Sequence, residues 1–420
     1  MKRPGLKGAA AASLGSAGAT LIALLISGSL SARTLGPTDR GYFALLVLVP
    51  SLACQVGGLG ISAAIGHFVA SRETDPARIL RELKRPLALQ LVLATAGAAI
   101  LGAALNVGHP SYVLVGVLIA TTFVATTYAK EYAIVLLQAT GHSLVANLLK
   151  PLREVAWAVG ITVVFVLDVD DFLVVMITCA AAEWLTLTVS LLLLLTLVLR
   201  NQQLGPSDRE VSREDVLRFG RAGYLSWTSP LDTFRLDQMY VGAALSPTTL
   251  GYYAAGAAFT TIPRVLAHTI GLTAAPFIAG QRADTGDSAR RTGLAFAALA
   301  VGLSGITALI VALSATWLVP LLYGEDFRPA IPITQVLIFG GFLFAVRRIM
   351  IDILRGIGNP GAGFRSEVGG LILFAVAAPA LGAVAGGVGV AWAFVAAAIV
   401  NVGSLLYRER QLVFRALGRP

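Results

Sequence analysis

Long apolar runs that do not alternate dominate this sequence and leave it few ways to fold. Hydropathy and loop charge mark twelve of them, approximately 9–32, 41–71, 86–105, 111–140, 148–167, 171–199, 216–245, 249–280, 289–322, 330–357, 364–385 and 387–407. A helix needs about 20 apolar residues to cross a bilayer, whereas membrane β-strands would alternate with period two. Composition agrees. The 420 residues are 56% hydrophobic and only 13% charged, with mean hydropathy +0.78, against roughly 25% charge in soluble domains. A soluble globule and a disordered chain are both excluded. The sequence predicts an all-α polytopic membrane protein of about twelve transmembrane helices. The first run, after Lys2, Arg3 and Lys7, is about 24 residues long, past the usual 7–15 of a signal peptide, and reads as an uncleaved first helix.

The net charge of +9 belongs to loops. In membrane proteins Lys and Arg collect on the cytoplasmic side, so no nucleic-acid partner is implied. With the N-terminus inside, 24 Lys and Arg fall at cytoplasmic ends and loops, while Arg33, Arg40 and Arg328 fall outside. Both termini are therefore expected in the cytoplasm. Cys54 and Cys179 lie in apolar runs without CxxC or CxxH spacing, which supports neither a disulfide framework nor a metal site.

The chain divides in the middle. A cytoplasmic linker at 200–215 contains Pro206 and ends in a Ser212–Asp215 capping box, separating an N-lobe at 1–199 from a C-lobe at 216–420. The halves are repeats. LGPTDRGYFA at 35–44 matches LSPTTLGYYA at 245–254 in six of ten positions, at an offset of 210, and LLQATG at 136–141 matches ILRGIG at 353–358 more weakly. An even number of spans per repeat predicts two parallel six-helix lobes around a central cavity, an architecture suited to alternating access.

Ionisable residues inside spans carry the most functional information. They are Lys130 and Glu131 in span four, Arg153 and Glu154 in span five, and Glu183 in span six. Span seven holds Asp232, Arg235 and Asp237, span eight holds Arg264 and His268, and span ten holds Arg347, Arg348 and Asp352. Five such cations facing lipid would cost roughly 12–17 kcal/mol, so they must face protein or water. Helical spacing predicts self-neutralising pairs for Asp232 with Arg235 and for Arg348 with Asp352, and snorkelling for Arg153 and Glu154 near a helix end. Lys130, Arg264 and Arg347 have no counter-charge on their own face. They are expected to converge as a substrate cavity with surplus positive charge, which Arg235 and Arg348 also line, balanced by Asp237. Glu131, Glu183, Asp232 and His268 are candidates for coupling or gating, as are Pro230 and Pro263, whose rings kink helices; His67 is more modest. GIGNPG at 356–361 satisfies GxGxxG without a βαβ unit around it, and Gly382 with Gly386 forms a GxxxG. They read as a turn and as close helix packing.

Arg33-Thr-Leu-Gly-Pro, Gly41-Tyr-Phe-Ala and Gly58-Leu-Gly resemble the opening of Wzx-type polysaccharide flippases. In the second half Asp237, Gly251-Tyr-Tyr-Ala, Leu322-Tyr-Gly-Glu-Asp-Phe and Gly356-Ile-Gly-Asn-Pro agree. The superfamily also holds multidrug/cation antiporters and lipid II flippases. The resemblance implies export of an undecaprenyl-diphosphate-linked oligosaccharide across a bacterial inner membrane, for O-antigen or related polysaccharide, with a polymerase and glycosyltransferases as partners. It implies no enzyme activity and no cofactor, with H+, Na+ or the membrane potential as driving force. The rival within the superfamily is a cation-coupled multidrug exporter, which would want an acidic, aromatic-lined cavity. A membrane glycosyltransferase would want a large exterior catalytic loop, for which the short exterior loops leave no room.

Overall fold

The computed structural model describes residues 6–71, 73–105, 110–199, 211–227, 229–280, 287–356 and 362–408. All regular structure among them is helical, and each of the twelve apolar runs coincides with one helix, a broken pair or, at 216–245, three helices. In chain order these are α1 (Leu6–Gly58), α2 (Ile61–Ala70), α3 (Pro76–Glu82), α4 (Lys84–Leu105), α5 (Pro110–Ala139), α6 (Ser143–Leu149), α7 (Leu152–Val166) and α8 (Phe172–Leu193), which runs on as a π-helical turn, Leu194–Leu199. Then come α9 (Arg213–Trp227), α10 (Pro230–Thr233), α11 (Leu236–Ala244), α12 (Pro247–Phe259), α13 (Thr261–Gly280), α14 (Asp287–Tyr323), α15 (Ala330–Gly356) and α16 (Ala362–Arg408). Most of the linker at 200–215 and of GIGNPG lies outside the described residues; where visible, the capping box forms, with Ser212 and Asp215 bonded to each other and Ser212 Oγ accepting from the Asp215 amide.

Two helices are each folded into two spans. The 53 residues of α1 would reach about 80 Å if straight, far beyond a hydrocarbon core of about 30 Å. Gly36 ends the first arm with φ 67° and ψ 177°, a backbone that glycine adopts without a Cβ clash. Gly386, at φ 55°, does the same in α16. The expected packing role of the Gly382/Gly386 pair is thus corrected: only Gly382 sits close to a neighbour, 3.1 Å from Val390 for an added Cβ, and Gly386 makes the turn. Five described helices are long and apolar enough to span a membrane, and those containing the two folded arms are among them. Their outward residues, such as Ile100, Ile177, Leu313, Trp317 and Val384, are apolar and exposed, as lipid-facing surfaces require. This is a multi-pass membrane protein.

The chain forms two compact units, residues 1–35 with 43–224 and residues 36–42 with 225–420. In the first, a core of Ile61, Ile65, Leu83, Leu136, Leu137, Leu149 and Val216 joins α2, α5, α6 and α9. In the second, α15 is the central helix, packed by α12, α13, α14 and α16. That unit also shows why ten residues are repeated. Thr38 and Thr248 share a hydrogen bond of 2.8 Å, Gly41 lies against the Pro247 carbonyl, and Gly251 against the Pro37 carbonyl. Each partner is 210 residues from its equivalent, so the repeated segments cross on a local two-fold axis, and both glycines are needed because any Cβ would strike backbone.

Candidate functional site

In the second unit span seven is broken twice. Pro230 opens α10 after the end of α9, and Arg235 separates α10 from α11 in a left-handed conformation, φ 49° and ψ 48°. A non-glycine residue held there costs of order 1–3 kcal/mol. Span eight breaks between Phe259 and Thr261, leaving Pro263 in the first turn of α13, its carbonyl accepting from Ser304 at 3.1 Å. Both prolines therefore sit beside breaks that expose polar groups.

Those breaks rearrange the expected pairs. Asp232 and Arg235 do not pair, because the helix that would align them ends between them. Asp232 instead accepts from Arg264, whose guanidinium also donates to the Thr260 hydroxyl and, at 3.1 Å, to its carbonyl. Arg347 of α15 pairs with Glu367 of α16 at 2.7 Å. Glu367 also accepts from Ser229 and from Asn401 at 3.4 Å. Arg348 donates to Asp352 at 3.2 Å, as four-residue spacing requires. Buried Asp237 accepts from Tyr253 at 3.0 Å rather than balancing a free cation. His268 lies on α13 one turn from Arg264. Asp232, Arg235, Asp237, Gln238, Thr260 and Arg264 line a cavity of about 10 Å³, room for roughly one water.

The first unit holds a second polar node. Lys130 of α5 pairs with Glu154 of α7 at 3.5 Å, and Arg153 pairs with both Glu154 and Glu183. Glu183 further accepts from Thr126 at 2.7 Å, and Arg153 lies 4.7 Å over the Phe123 ring. Arg153 and Glu154 thus tie three helices together instead of snorkelling. Glu131 is exposed and accepts from Ser62. His67 stacks on Phe219 at 4.4 Å. Outside the spans, Glu325 beside Arg328 pushes that guanidinium's pKa up.

Lys130, Arg264 and Arg347 have no counter-charge on their own helix, as expected, but each finds one on another span, which single-helix spacing cannot reveal. The expected surplus of positive charge is absent from the second unit's cluster, where four arginines meet Asp232, Asp237, Asp352 and Glu367. Glu367, Tyr253, Thr260 and Asn401 were missed. For Glu367 a signal existed: at the 217-residue offset of the weaker repeat Lys130 matches Arg347, and the partner Glu154 matches Glu367 within a few residues.

No family model matches the sequence, and no curated protein does either. Solved structures do. Lipid II flippase MurJ in an inward closed conformation aligns with 96% of this chain and 87% of its own, at TM-score 0.74 and 12% identity. An outward-facing multidrug resistance MATE family transporter of the MOP superfamily aligns over 96% of both chains at TM-score 0.60 and 17% identity. MATE in a straight conformation aligns over 96% and 97% at TM-score 0.61 and 16% identity. At such identities the likeness is one of fold alone, the fold these solved flippase and MATE structures share with the chain.

Proposed function

We propose that this chain is a flippase of the MOP type that moves a lipid-linked oligosaccharide diphosphate from the cytoplasmic to the outer leaflet by alternating access. The observation that carries this reading is which charges the second unit offers to an incoming ligand. Asp237, Asp352 and Glu367 are buried to 5% exposure or less, whereas Arg235 is exposed and the side chain of Arg348 is 37% exposed. Of the remaining charges, Asp232 is 26% exposed but held by Arg264, and Arg347 is itself buried, so the charges most open to a ligand are the guanidiniums of Arg235 and Arg348. A guanidinium fork suits phosphate oxygens, while an organic cation would need an accessible carboxylate. The higher TM-score with a lipid II flippase than with the MATE transporters points the same way. Wzx-type polysaccharide export is the finer reading, with a bacterial inner membrane, cytoplasmic termini, and polymerase and glycosyltransferase partners. An anionic head moving outward would gain from an inside-negative potential about 2.3 kcal/mol per charge per 100 mV; H+ or Na+ coupling is the other driving force.

Exposed Glu131, bonded to Ser62, favours the second reading, a cation-coupled multidrug exporter. Proteoliposomes separate the two. Appearance of an undecaprenyl-diphosphate-linked saccharide in the opposite leaflet, lost in Arg264→Ala, is the expected result. Ethidium efflux with no saccharide movement would install the exporter instead.

A further inference from the structure

Among the in-span cations, Lys130, Arg264, Arg347 and Arg348 each hold a carboxylate. Arg235 differs. Among the described residues its side chain makes no ion pair and no hydrogen bond, although Asp232 stands three positions before it and Asp237 two after. Both carboxylates are engaged elsewhere, Asp232 by Arg264 and Asp237 by Tyr253. The side chain is exposed and lines the small cavity that Arg264, Asp232 and Asp237 also line. Its backbone occupies the left-handed region, at φ 49°, where glycine would sit without strain. A strained position filled by a long cation that contributes no pairing to the fold is the pattern expected of a group kept for a ligand.

We propose that Arg235 is the residue that engages the phosphate of the substrate and makes the site prefer a diphosphate head over an uncharged one. This rests on the anionic-substrate reading above and narrows it to one side chain. Arg264 is held by Asp232, Thr260 and a backbone carbonyl, and Arg347 by buried Glu367. Both already share their charge with a carboxylate, whereas Arg235 has nothing to release. Because the cavity admits only a water, the diphosphate meets Arg235 at the exposed face first, and Arg264 joins only if Asp232 yields it. Arg235 is thus the contact that discriminates, and Arg264 the one recruited afterwards.

The test uses the full-length protein in detergent with farnesyl diphosphate as probe and farnesol as its uncharged counterpart. Arg235→Gly should weaken farnesyl diphosphate binding about tenfold or more, the size of a lost charge-assisted hydrogen bond. It should leave farnesol binding unchanged and should not lower the unfolding midpoint, since glycine relieves the backbone. Arg235→Lys should restore part of the affinity by keeping charge without the fork. Arg81→Gln, at an exposed cation elsewhere, controls for general charge. Undiminished diphosphate binding in Arg235→Gly overturns the proposal, and so does a loss of binding that comes with a lower unfolding midpoint. If Arg235→Gly binds normally while Arg264→Ala does not, Arg235's role falls and the anionic reading stands. If the unaltered protein binds farnesol as tightly as farnesyl diphosphate, the anionic reading itself falls.

Discussion

The two halves carry the same polar device at different depths. In the first, Lys130 of α5 reaches Glu154 of α7 at 3.5 Å, with side chains 17% and 15% exposed. In the second, Arg347 of α15 reaches Glu367 of α16 at 2.7 Å, with side chains 6% and 1% exposed. Each cation lies on the fourth span of its half and each glutamate early on the fifth. The sixth span adds a further partner, Glu183 in one half and Asn401 in the other. The difference in burial goes with the choice of cation. A buried pair needs its remaining hydrogen-bonding positions satisfied, and the guanidinium offers five donors in a fixed fork. A shallower pair tolerates lysine, which is more strongly hydrated. The two nodes thus show one arrangement in two environments, and the deeper one is the more exposed to damage.

Removing one partner of each pair should reveal the largest contrast. Glu367→Ala strands Arg347 in a buried site and should cost about 3–5 kcal/mol, seen as a large loss of thermal stability in detergent. Glu154→Ala should cost about 1 kcal/mol, because Lys130 retains some solvent and Arg153 keeps Glu183. A combined Arg347→Met/Glu367→Leu variant should recover most of the deficit, since an apolar replacement removes both desolvation costs. Equal losses from Glu367→Ala and Glu154→Ala would erase the distinction between the nodes.

Much of this was readable beforehand, for reasons that also mark where reading stopped. Span positions follow from apolar length, which the bilayer enforces, so all twelve runs became helices. The exchange of Thr38 with Thr248 and of Gly41 with Gly251 lies in the very segment that stood out as a repeat, because a two-fold backbone crossing demands the same residues twice. Pairing was not readable for a physical reason. Three- and four-residue spacing describes one continuous helix, so it found Arg348 with Asp352 and failed for Asp232 with Arg235, where α10 ends. It is blind to Glu154 facing Lys130 and to Glu367 facing Arg347, since those partners sit on neighbouring helices. Arg235, expected to pair with Asp232, makes no ion pair among the described residues, while Lys130, Arg264 and Arg347 find on other helices the counter-charges their own helices lack.

The glycine crossing sharpens the comparison from the opposite side, because there the halves are equivalent. Gly41→Ala and Gly251→Ala each drive a Cβ into a proline carbonyl of the other repeat and should each cost about 1–3 kcal/mol. The two costs should agree closely when unfolding is followed by circular dichroism. A clear inequality would show that the local two-fold is geometric but not energetic.

A smaller effect, about 1–2 kcal/mol, should attend Tyr253→Phe. Asp237, at 5% exposure, would lose the hydroxyl that donates to it at 3.0 Å, and a buried acceptor left short of a partner is penalised. At the 210-residue offset the first half has Phe43 and Ser27 in these two places. A hydroxyl is thus present only in the half that has an acid to satisfy. If Asp237→Ser is combined with Tyr253→Phe, reproducing the first half's residues, the loss should shrink relative to Tyr253→Phe alone. A loss that does not shrink would mean that Tyr253 supports something other than Asp237.

The smallest change expected is from Lys130→Arg, which gives the first node the cation of the second. Charge is retained, Glu154 remains the partner, and Arg153 already contacts the other Glu154 oxygen at 3.4 Å. An added fork therefore finds only one carboxylate oxygen not already taken, and solvent competes for it. Stability should move by no more than about 0.5 kcal/mol, within the range of substitutions that leave partners intact. The reverse replacement, Arg347→Lys, should lower stability by more, because Glu367 at 1% exposure cannot replace a lost guanidinium donor with water. Depth, rather than the identity of the pair, then explains why one half kept lysine and the other has arginine. A rise above about 1 kcal/mol for Lys130→Arg would contradict this, since it would place the first node in an environment as dry as the second.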